Sequence, residues 1–265
     1  MEQNRRLTAL LERFKADSGR YRDWDVPGDE ASRRAALRSL MNVRPPRPLD
    51  EGTLRLQNEY LSQRAREKGV VALSDIPALR GPISLWQGDI TRLAVDAIVN
   101  AANSQMLGCF VPMHTCIDNC IHTFAGVQLR LECAEKMEAL RARYGGDYER
   151  PTAVPMLTGA YNLPAKKVVH VVGPIVEDQL TPALEQDLAD CYENVLELCR
   201  ENGLRSVAFC CISTGVFRFP NRRAAEIAVQ TVEGWLAAHP GEMDRVVFNV
   251  FKDEDREIYE ELLRE

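Results

Sequence analysis

Three side chains that suit a soft metal ion lie close together near the middle of the chain. They are Cys109, His114 and Cys116, in a segment that also contains Gly108 and Pro112. Two thiolates and one imidazole form a ligand set that zinc accepts in tetrahedral geometry. Because this is not a zinc-finger spacing, a second interpretation stays open, in which the residues are buried cysteines beside an ordinary histidine.

Two further candidate ligands follow the first three. A helix is predicted to begin near Asp118, an acceptable N-cap, so Cys116 would precede a helix N-terminus, where the helix dipole favours a thiolate. On that helix Cys120 and His122 lie about 200° apart, so the two cannot face one ion. Three protein ligands leave a position for water or substrate, as in catalytic zinc sites, whereas a fourth ligand from Cys120 would make the site structural.

Polar residues follow two of the predicted strands. Asp89 lies in the sequence GDIT after the first of them, and Asn103 closes the second. The carboxylate can cap its own turn or accept a hydrogen bond from the amine of an adenine. The amide can bind ribose hydroxyls or simply turn the chain. Local sequence does not separate these alternatives.

A short loop of small residues, 213–217, lies between a predicted buried strand and a helix. Its glycine would let backbone N–H groups approach an anion closely, although an ordinary strand-to-helix turn is equally compatible. The loop is neither a P-loop nor a GxGxxG dinucleotide fingerprint. Elsewhere, His170 is predicted to be a core histidine and His239 to cap a helix end at the surface.

Composition narrows the class of protein. The chain has 265 residues, 45% of them hydrophobic and 27% charged, which is typical of globular proteins. It has no apolar run near the ~20 residues of a membrane span and no apolar signal core, so we expect a cytoplasmic protein. A net charge of −6 without a basic stripe argues against nucleic-acid binding. A phosphorylated small ligand stays possible, because backbone N–H groups alone can bind phosphate.

The cysteines are expected to be reduced. There are eight of them, and without an export signal free thiols are a better interpretation than disulfides. Cys191, Cys199, Cys210 and Cys211 lie in apolar patterns and are predicted to be small core side chains.

The chain divides into two parts by pattern. Residues 1–80 (the N-terminal extension) contain three amphipathic helical stretches and no catalytic grouping, which predicts a helical cap packed on the rest, with partner docking as the alternative. Residues 81–265 alternate between strands and helices. The predicted strands include ISLWQG, VDAIVNAA, TGAYN, KKVVHVV, SVAFCCI and RVVFNVF, and residues 117–146 are predicted to form one long helix. This alternation predicts an α/β fold, with helices on both faces of a mostly parallel sheet and ligands at the strand C-termini.

Four segments in order resemble a known family. They are GDIT with VDAIVNAANS, then TGAYNLPAKKVVHVVGP, then ISTGVFRFP. Together they resemble the macrodomain, an ADP-ribose-binding module, over roughly residues 82–265. The segment GCFVPMHTCIDNCIHTFAGVQLRLEC, with the helical extension, resembles the zinc-dependent bacterial macrodomains. Members of that branch are protein-ADP-ribose hydrolases, often encoded beside a macrodomain-linked sirtuin and a lipoyl-carrier protein.

The resemblance implies a fold and a set of site residues. The fold would be a three-layer α/β/α macrodomain with a mixed, mostly parallel central sheet, after an all-helical extension. One Zn²⁺ per chain would bind Cys109, His114 and Cys116. Asp89 and the Ile90 backbone would contact adenine, and Asn103 would face the distal ribose. The other implied contacts are Ile117, Asp118 and Asn119 at the border of the site, and Ser213, Thr214, Gly215, Val216 and Phe217 around the diphosphate, with Phe217 near the distal ribose. Cys120 departs from the small residue expected at its position.

The implied activity is hydrolytic removal of mono-ADP-ribose from acidic protein side chains. Besides Asn103 and the three metal ligands, Asp118 is the candidate proton acceptor, with N-cap as its alternative role. Zinc could acidify a water molecule or orient a ribose hydroxyl. The expected partners are ADP-ribose and a mono-ADP-ribosylated protein, with a lipoyl carrier as candidate target, and the chain is expected to act as a monomer. Two rivals remain: a non-catalytic ADP-ribose reader with structural zinc, and an interaction protein whose extension recruits a partner.

Overall fold

The computed structural model describes residues 2–264. Its helices are α1 (Glu2–Ser18), α2 (Glu30–Val43), α3 (Glu51–Lys68), α4 (Ile117–Ala125), α5 (Val127–Tyr144), α6 (Pro182–Glu201), α7 (Asn221–Ala238) and α8 (Asp253–Arg264). Its strands are β1 (Val71–Ala72), β2 (Ile83–Gln87), β3 (Leu93–Ala94), β4 (Ala97–Ala102), β5 (Met156–Gly159), β6 (Lys167–Val172), β7 (Ser206–Phe209) and β8 (Arg245–Val250). Short 3₁₀ turns occupy Leu73–Asp75 and Ile90–Arg92. Within residues 2–264 no helix is long and apolar enough to span a membrane.

Six strands form the central sheet in the order β2–β8–β7–β4–β6–β5. Every pairing is parallel except that of β5 with β6, so the predicted mixed, mostly parallel sheet is confirmed. Ala97, Ile98 and Val99 of β4 are fully buried. A strand covered on both faces must be apolar along its length, which explains the continuous hydrophobic run seen in the sequence.

Parallel pairing brings the C-terminal ends of these strands to one edge of the sheet. Asp89 follows β2, Asn103 follows β4, and the 213–217 loop follows β7, which pairs directly with β4. In open α/β sheets ligands bind in the crevice outside the strand C-termini. The three segments selected from the sequence therefore meet at the edge where a ligand is expected.

The predicted single helix over residues 117–146 is wrong. The chain breaks at Gly126 (φ 100°, ψ 169°), which ends α4 and begins α5. That backbone region is accessible almost only to glycine. A Cβ there would also lie 2.6 Å from Gln128 Oε1 and 2.7 Å from Gln57 Nε2. The break turns α5 onto the extension, and hydrophobic periodicity alone does not reveal it.

The predicted strand TGAYN is also displaced. The observed β5 begins at Met156 and ends at Gly159, and Tyr161 then adopts a left-handed conformation with φ 53°. A positive φ ends regular extended pairing. The predicted strand SVAFCCI likewise ends early, at Phe209, so that Cys210 and Cys211 belong to the loop that follows.

The N-terminal extension has a hydrophobic core of its own. Helices α1, α2 and α3 bury Leu7, Leu10, Leu11, Phe14, Ala36, Leu37, Leu40, Met41, Tyr60 and Leu61 against one another. Val127 of α5 completes this cluster, so the extension is packed on the main domain. The last α-helix of the extension ends at Lys68, and β1 then joins β3 in a two-stranded parallel sheet.

Substituting Gly126 tests the helix break. Gly126→Ala is expected to destabilise the protein by about 1–3 kcal/mol, because the residue would be strained and its Cβ crowded. Gly234→Ala is the matched control, since Gly234 lies inside α7 with open space around it. There alanine is expected to be neutral or stabilising by about 0.5–1 kcal/mol. Chemical denaturation of both variants is the measurement, and equal stability of the two would contradict the assignment of a strained turn at Gly126.

Candidate active site

The segment that joins β4 to α4, residues 103–116 (the cysteine loop), brings the three candidate metal ligands together. The Sγ atoms of Cys109 and Cys116 and a ring nitrogen of His114 all lie within 4.8 Å of one another. Cys109 Sγ lies 3.7 Å from His114 Nδ1. Left-handed backbone at Gly108 and Met113, with φ 78° and 59°, folds the loop back on itself. The grouping expected from the sequence is therefore present in the fold.

The helix begins at a different residue from the one expected. Cys116, not Asp118, is the N-cap of α4, and its Sγ accepts a hydrogen bond from the backbone N–H of Asn119 at 3.4 Å. We expected the helix N-terminus to favour a thiolate at Cys116. Instead, burial raises the pKa of this thiol to about 12, and neighbouring Cys109 acts in the same direction. One N–H donor does not offset the loss of water around a buried charge.

Cys120 lies outside the group of three. Its Sγ lies 3.6 Å from Arg38 Nη2 and 4.0 Å from the carbonyl oxygen of Thr115. Among the residues that the structure describes, the cluster around Cys109 has no fourth His, Cys, Asp or Glu ligand. His122 is buried outside this group: its ring packs against the Gly108 backbone, and its Nε2 lies 3.5 Å from Asp118 Oδ1. As the helix geometry predicts, Cys120 and His122 face different surroundings.

The residues present fit a zinc ion. Two sulfurs and an imidazole nitrogen already converge, and all three residues are partly exposed, so an ion can reach them. Thiolate and imidazole ligands select zinc over the harder magnesium and calcium ions. A set of three protein donors is the arrangement that leaves one coordination position open.

Asp118 lies at the base of the cysteine loop. It is 5% exposed, and its Oδ1 accepts a 2.7 Å hydrogen bond from Asn100 Nδ2. Burial raises the pKa of Asp118 to about 6, against the opposing effects of Asn100 and Arg130. Asn103 Nδ2 lies 3.5 Å from Asp118 Oδ2, while Asn103 Oδ1 accepts from the backbone N–H of Gln105 and so also turns the chain.

Asn100 connects Asp118 to His170, a link that sequence reasoning missed. Its second amide hydrogen reaches His170 Nδ1 at 3.0 Å, so that His170 Nε2 carries the proton and donates to Thr158 Oγ1 at 2.9 Å. His170 is fully buried and burial lowers its pKa to about 3, so the prediction of a core histidine is confirmed. The one sequence feature that could have indicated this link is Asn100 itself, because it is an amide side chain within an otherwise apolar, buried strand.

Asp89 is engaged at both oxygens. Lys68 Nζ lies 2.5 Å from its Oδ2, while the backbone N–H and hydroxyl of Thr91 donate to its Oδ1 at 3.0 and 2.6 Å. Burial acts to raise the pKa of Asp89, but Lys68 and Thr91 outweigh it and the pKa is lowered. The Lys68 ammonium also lies 3.5 Å from the centre of the Phe124 ring. Asp89 therefore caps its own turn, beside the buried Ile90, and Lys68 of the extension belongs to this end of the crevice.

The 213–217 loop presents backbone donors. Ser213 has a left-handed φ of 65°, and the carbonyl oxygens of Ser213, Gly215 and Phe217 accept hydrogen bonds from Phe219, Arg218 and Val176. Within residues 2–264 the N–H groups of Gly215, Val216 and Phe217 donate to no backbone partner. Val216 is 76% exposed.

Gly173, after β6, packs closely against this loop. A Cβ at this position would lie 2.1 Å from Ser213 Oγ. Of the other implied contacts, Thr214 lies on the same loop and Ile117 lies in the first turn of α4.

The Lys68–Asp89 pair can be tested by titration. In Lys68→Met the pKa of Asp89 is expected to rise, because the half-buried carboxylate loses its cation. Lys166→Met is the control, since Lys166 pairs with Asp96 and is 75% exposed. Carbon-13 NMR titration of the aspartate carboxyls measures both. If the pKa of Asp89 is unchanged in Lys68→Met, the hydrogen bonds from Thr91 alone determine its ionisation.

Comparisons with known proteins agree with this geometry. Residues 99–228 match the family model described as Macro domain. A protein of Treponema medium named protein-ADP-ribose hydrolase is 48% identical over 267 residues, covering 99% of this chain and 100% of the relative. A protein of the same name from Staphylococcus aureus (strain MSSA476) is 47% identical over 226 residues, covering 84% of this chain and 82% of the relative.

Solved structures show the same fold. A Trypanosoma brucei macrodomain in complex with ADP-ribose superposes with a TM-score of 0.64 at 29% identity, covering 85% of this chain and 94% of that one. An Oceanobacillus iheyensis macrodomain with ADP has a TM-score of 0.59 at 36% identity, covering 69% and 90%. With relatives at this level of identity over more than four fifths of their length, the chain belongs to the macrodomain family, in its protein-ADP-ribose hydrolase group.

Proposed function

We propose that this macrodomain is a zinc-dependent hydrolase that removes mono-ADP-ribose from acidic side chains of modified proteins. The observation that carries the proposal is the convergence of Cys109, His114 and Cys116 beside the buried Asp118, at the sheet edge where ligands bind. The names of the full-length relatives support removal of ADP-ribose from proteins.

The crevice offers a partner for each part of ADP-ribose. Asp89 and the Ile90 backbone form the adenine end, since a carboxylate can accept a hydrogen bond from the exocyclic amine. The N–H groups of the 213–217 loop suit the diphosphate, because successive backbone donors bind anions without a lysine or arginine. Asn103, Ile117 and Phe217 then border the distal ribose. The solved macrodomains with ADP-ribose and ADP support a nucleotide in this fold.

Cys109, His114 and Cys116 would hold the zinc ion at the distal end of the crevice. When bound, the ion supplies an electrophilic centre next to the ribose that carries the scissile bond. The three-residue ligand set and the separate engagement of Cys120 by Arg38 support a catalytic role over a structural one.

Asp118 is the proton acceptor of the proposed reaction. Asn100 and Asn103 orient its two oxygens, and burial keeps bulk water away from it. The bond between ribose C1″ and the side-chain oxygen breaks. A water molecule gives its hydroxyl to C1″ and its proton to Asp118, which passes the proton on as the target carboxylate leaves. The products are ADP-ribose and the unmodified protein.

The proposal extends to the setting of the reaction. We place the enzyme in the cytoplasm as a monomer, acting on a carrier protein such as a lipoyl carrier. The resemblance to the sirtuin-linked macrodomains supports this choice.

Removing a metal ligand tests the proposal most simply. Cys109→Ala and His114→Ala are each expected to lose zinc and to abolish release of ADP-ribose from a mono-ADP-ribosylated protein. Cys120→Ala is the matched control, and we expect it to keep both zinc and turnover, because Cys120 lies outside the ligand group. Metal analysis is paired with a time course of ADP-ribose release. Turnover that survives metal loss in folded protein would contradict a catalytic role for zinc. Zinc lost from Cys120→Ala would instead favour a structural site with Cys120 as fourth ligand.

Asp118→Asn separates binding from chemistry. The substitution keeps the size and the hydrogen-bonding reach of the side chain but removes the proton acceptor. Turnover is expected to fall by about 10²–10⁴-fold. Calorimetry should show ADP-ribose bound with nearly unchanged affinity. A variant that retains wild-type turnover would exclude Asp118 as the acceptor.

A further inference from the structure

Arg38 on helix α2 of the extension contacts the cysteine loop. Arg38 Nη2 lies 2.7 Å from the carbonyl oxygen of His114 and 2.8 Å from Asn119 Oδ1. The same nitrogen lies farther from Cys120 Sγ, at 3.6 Å. A charged donor makes stronger hydrogen bonds than a neutral one, so the loop is held firmly at the candidate ligand His114.

Asn119 carries the contact to the other two ligand residues. It is fully buried, and its Nδ2 donates to the carbonyl oxygens of Val111 at 2.9 Å and Cys109 at 3.4 Å. Its backbone N–H donates to Cys116 Sγ at 3.4 Å. With its amide oxygen bound to Arg38, Asn119 connects this guanidinium to both cysteines. Arg38 therefore contacts His114 directly and is linked to Cys109 and Cys116 through one residue, Asn119.

The helix that carries Arg38 is itself firmly placed. Leu37, Leu40 and Met41 are buried in the core of the extension. Asn42 lies one turn beyond Arg38, on the same side of α2. Its Oδ1 accepts from the backbone N–H of Met113 at 3.0 Å, and its Nδ2 donates to Thr123 Oγ1 at 2.9 Å. One face of α2 is thus anchored in a hydrophobic core while another holds the loop.

We propose that Arg38 is a positioning residue for the metal centre. It holds the His114 backbone and Asn119 so that the three donor atoms converge before an ion binds. The extension is then a working part of the metal site and not only a cap on the fold. The inference rests on the zinc site of the proposed function, but it can be tested separately, because it concerns Arg38, which is not a zinc ligand.

The test compares the full-length protein with three variants. Zinc affinity is measured by competition with a chromophoric chelator, ligand geometry by the visible spectrum of the cobalt-substituted protein, and stability by thermal unfolding of the metal-free protein. Arg38→Ala is expected to bind zinc about 10–100-fold more weakly, as is usual when the support of a metal ligand is removed. The zinc affinity of Arg38→Lys should lie between those of the wild-type protein and Arg38→Ala, because an ammonium keeps the charge but loses the planar fork of the guanidinium.

Arg34→Ala is the matched control. Arg34 lies one turn earlier on α2 and pairs with Glu30 of the same helix, so zinc affinity should stay at the wild-type value. Wild-type zinc affinity and cobalt spectrum in folded Arg38→Ala would overturn the positioning role and leave the hydrolase proposal intact. If Arg38→Ala fails to fold, a wild-type zinc affinity in Arg38→Lys would also overturn the positioning role. Absence of zinc binding in the wild-type protein would instead remove the metal site of the proposed function.

Discussion

The start of α4 at Cys116 is the constraint on which the candidate site depends. Because the sulfur caps the helix, the next three residues have fixed directions. Asp118 turns inward to Asn100, and Asn119 turns behind the cysteine loop. One helical turn thereby positions a candidate metal ligand, a buried carboxylate and the amide that holds the cysteine loop. A shift of one residue in the helix start would rotate all of these side chains by about 100°.

The sheet beneath α4 supplies the second constraint. Asn100 lies in the middle of strand β4, and both of its N–H hydrogens are used, one for Asp118 and one for His170, while its amide oxygen is buried without a hydrogen-bond partner among residues 2–264. His170 in turn lies on the neighbouring strand β6, in register with Asn100. The parallel register of β4 and β6 therefore fixes the carboxylate of Asp118 through two buried side chains. Such a network specifies one arrangement of the core because every member depends on its neighbour.

Sequence reasoning reached the features that depend on local pattern. The α/β alternation, the apolar β4 and the spacing of Cys109, His114 and Cys116 are all contained in short segments. Other features depend on contacts between distant segments. Arg38 is one of several arginines in an amphipathic helix, and no local signal marks it as the partner of His114. Lys68 ends α3 and meets Asp89 only because the extension packs on the main domain. The raised pKa of Cys116 likewise follows from burial, which depends on the packing of distant segments.

At this site a zinc ion is expected to have three protein ligands and one open position. X-ray absorption at the zinc edge of the purified protein, with and without ADP-ribose, measures these ligands directly. We expect two sulfur ligands and two lighter ligands, with a change confined to one lighter ligand when ADP-ribose is added. A third sulfur, or a ligand set that is unaffected by ADP-ribose and contains four protein atoms, would exclude a site with three protein ligands and an open position.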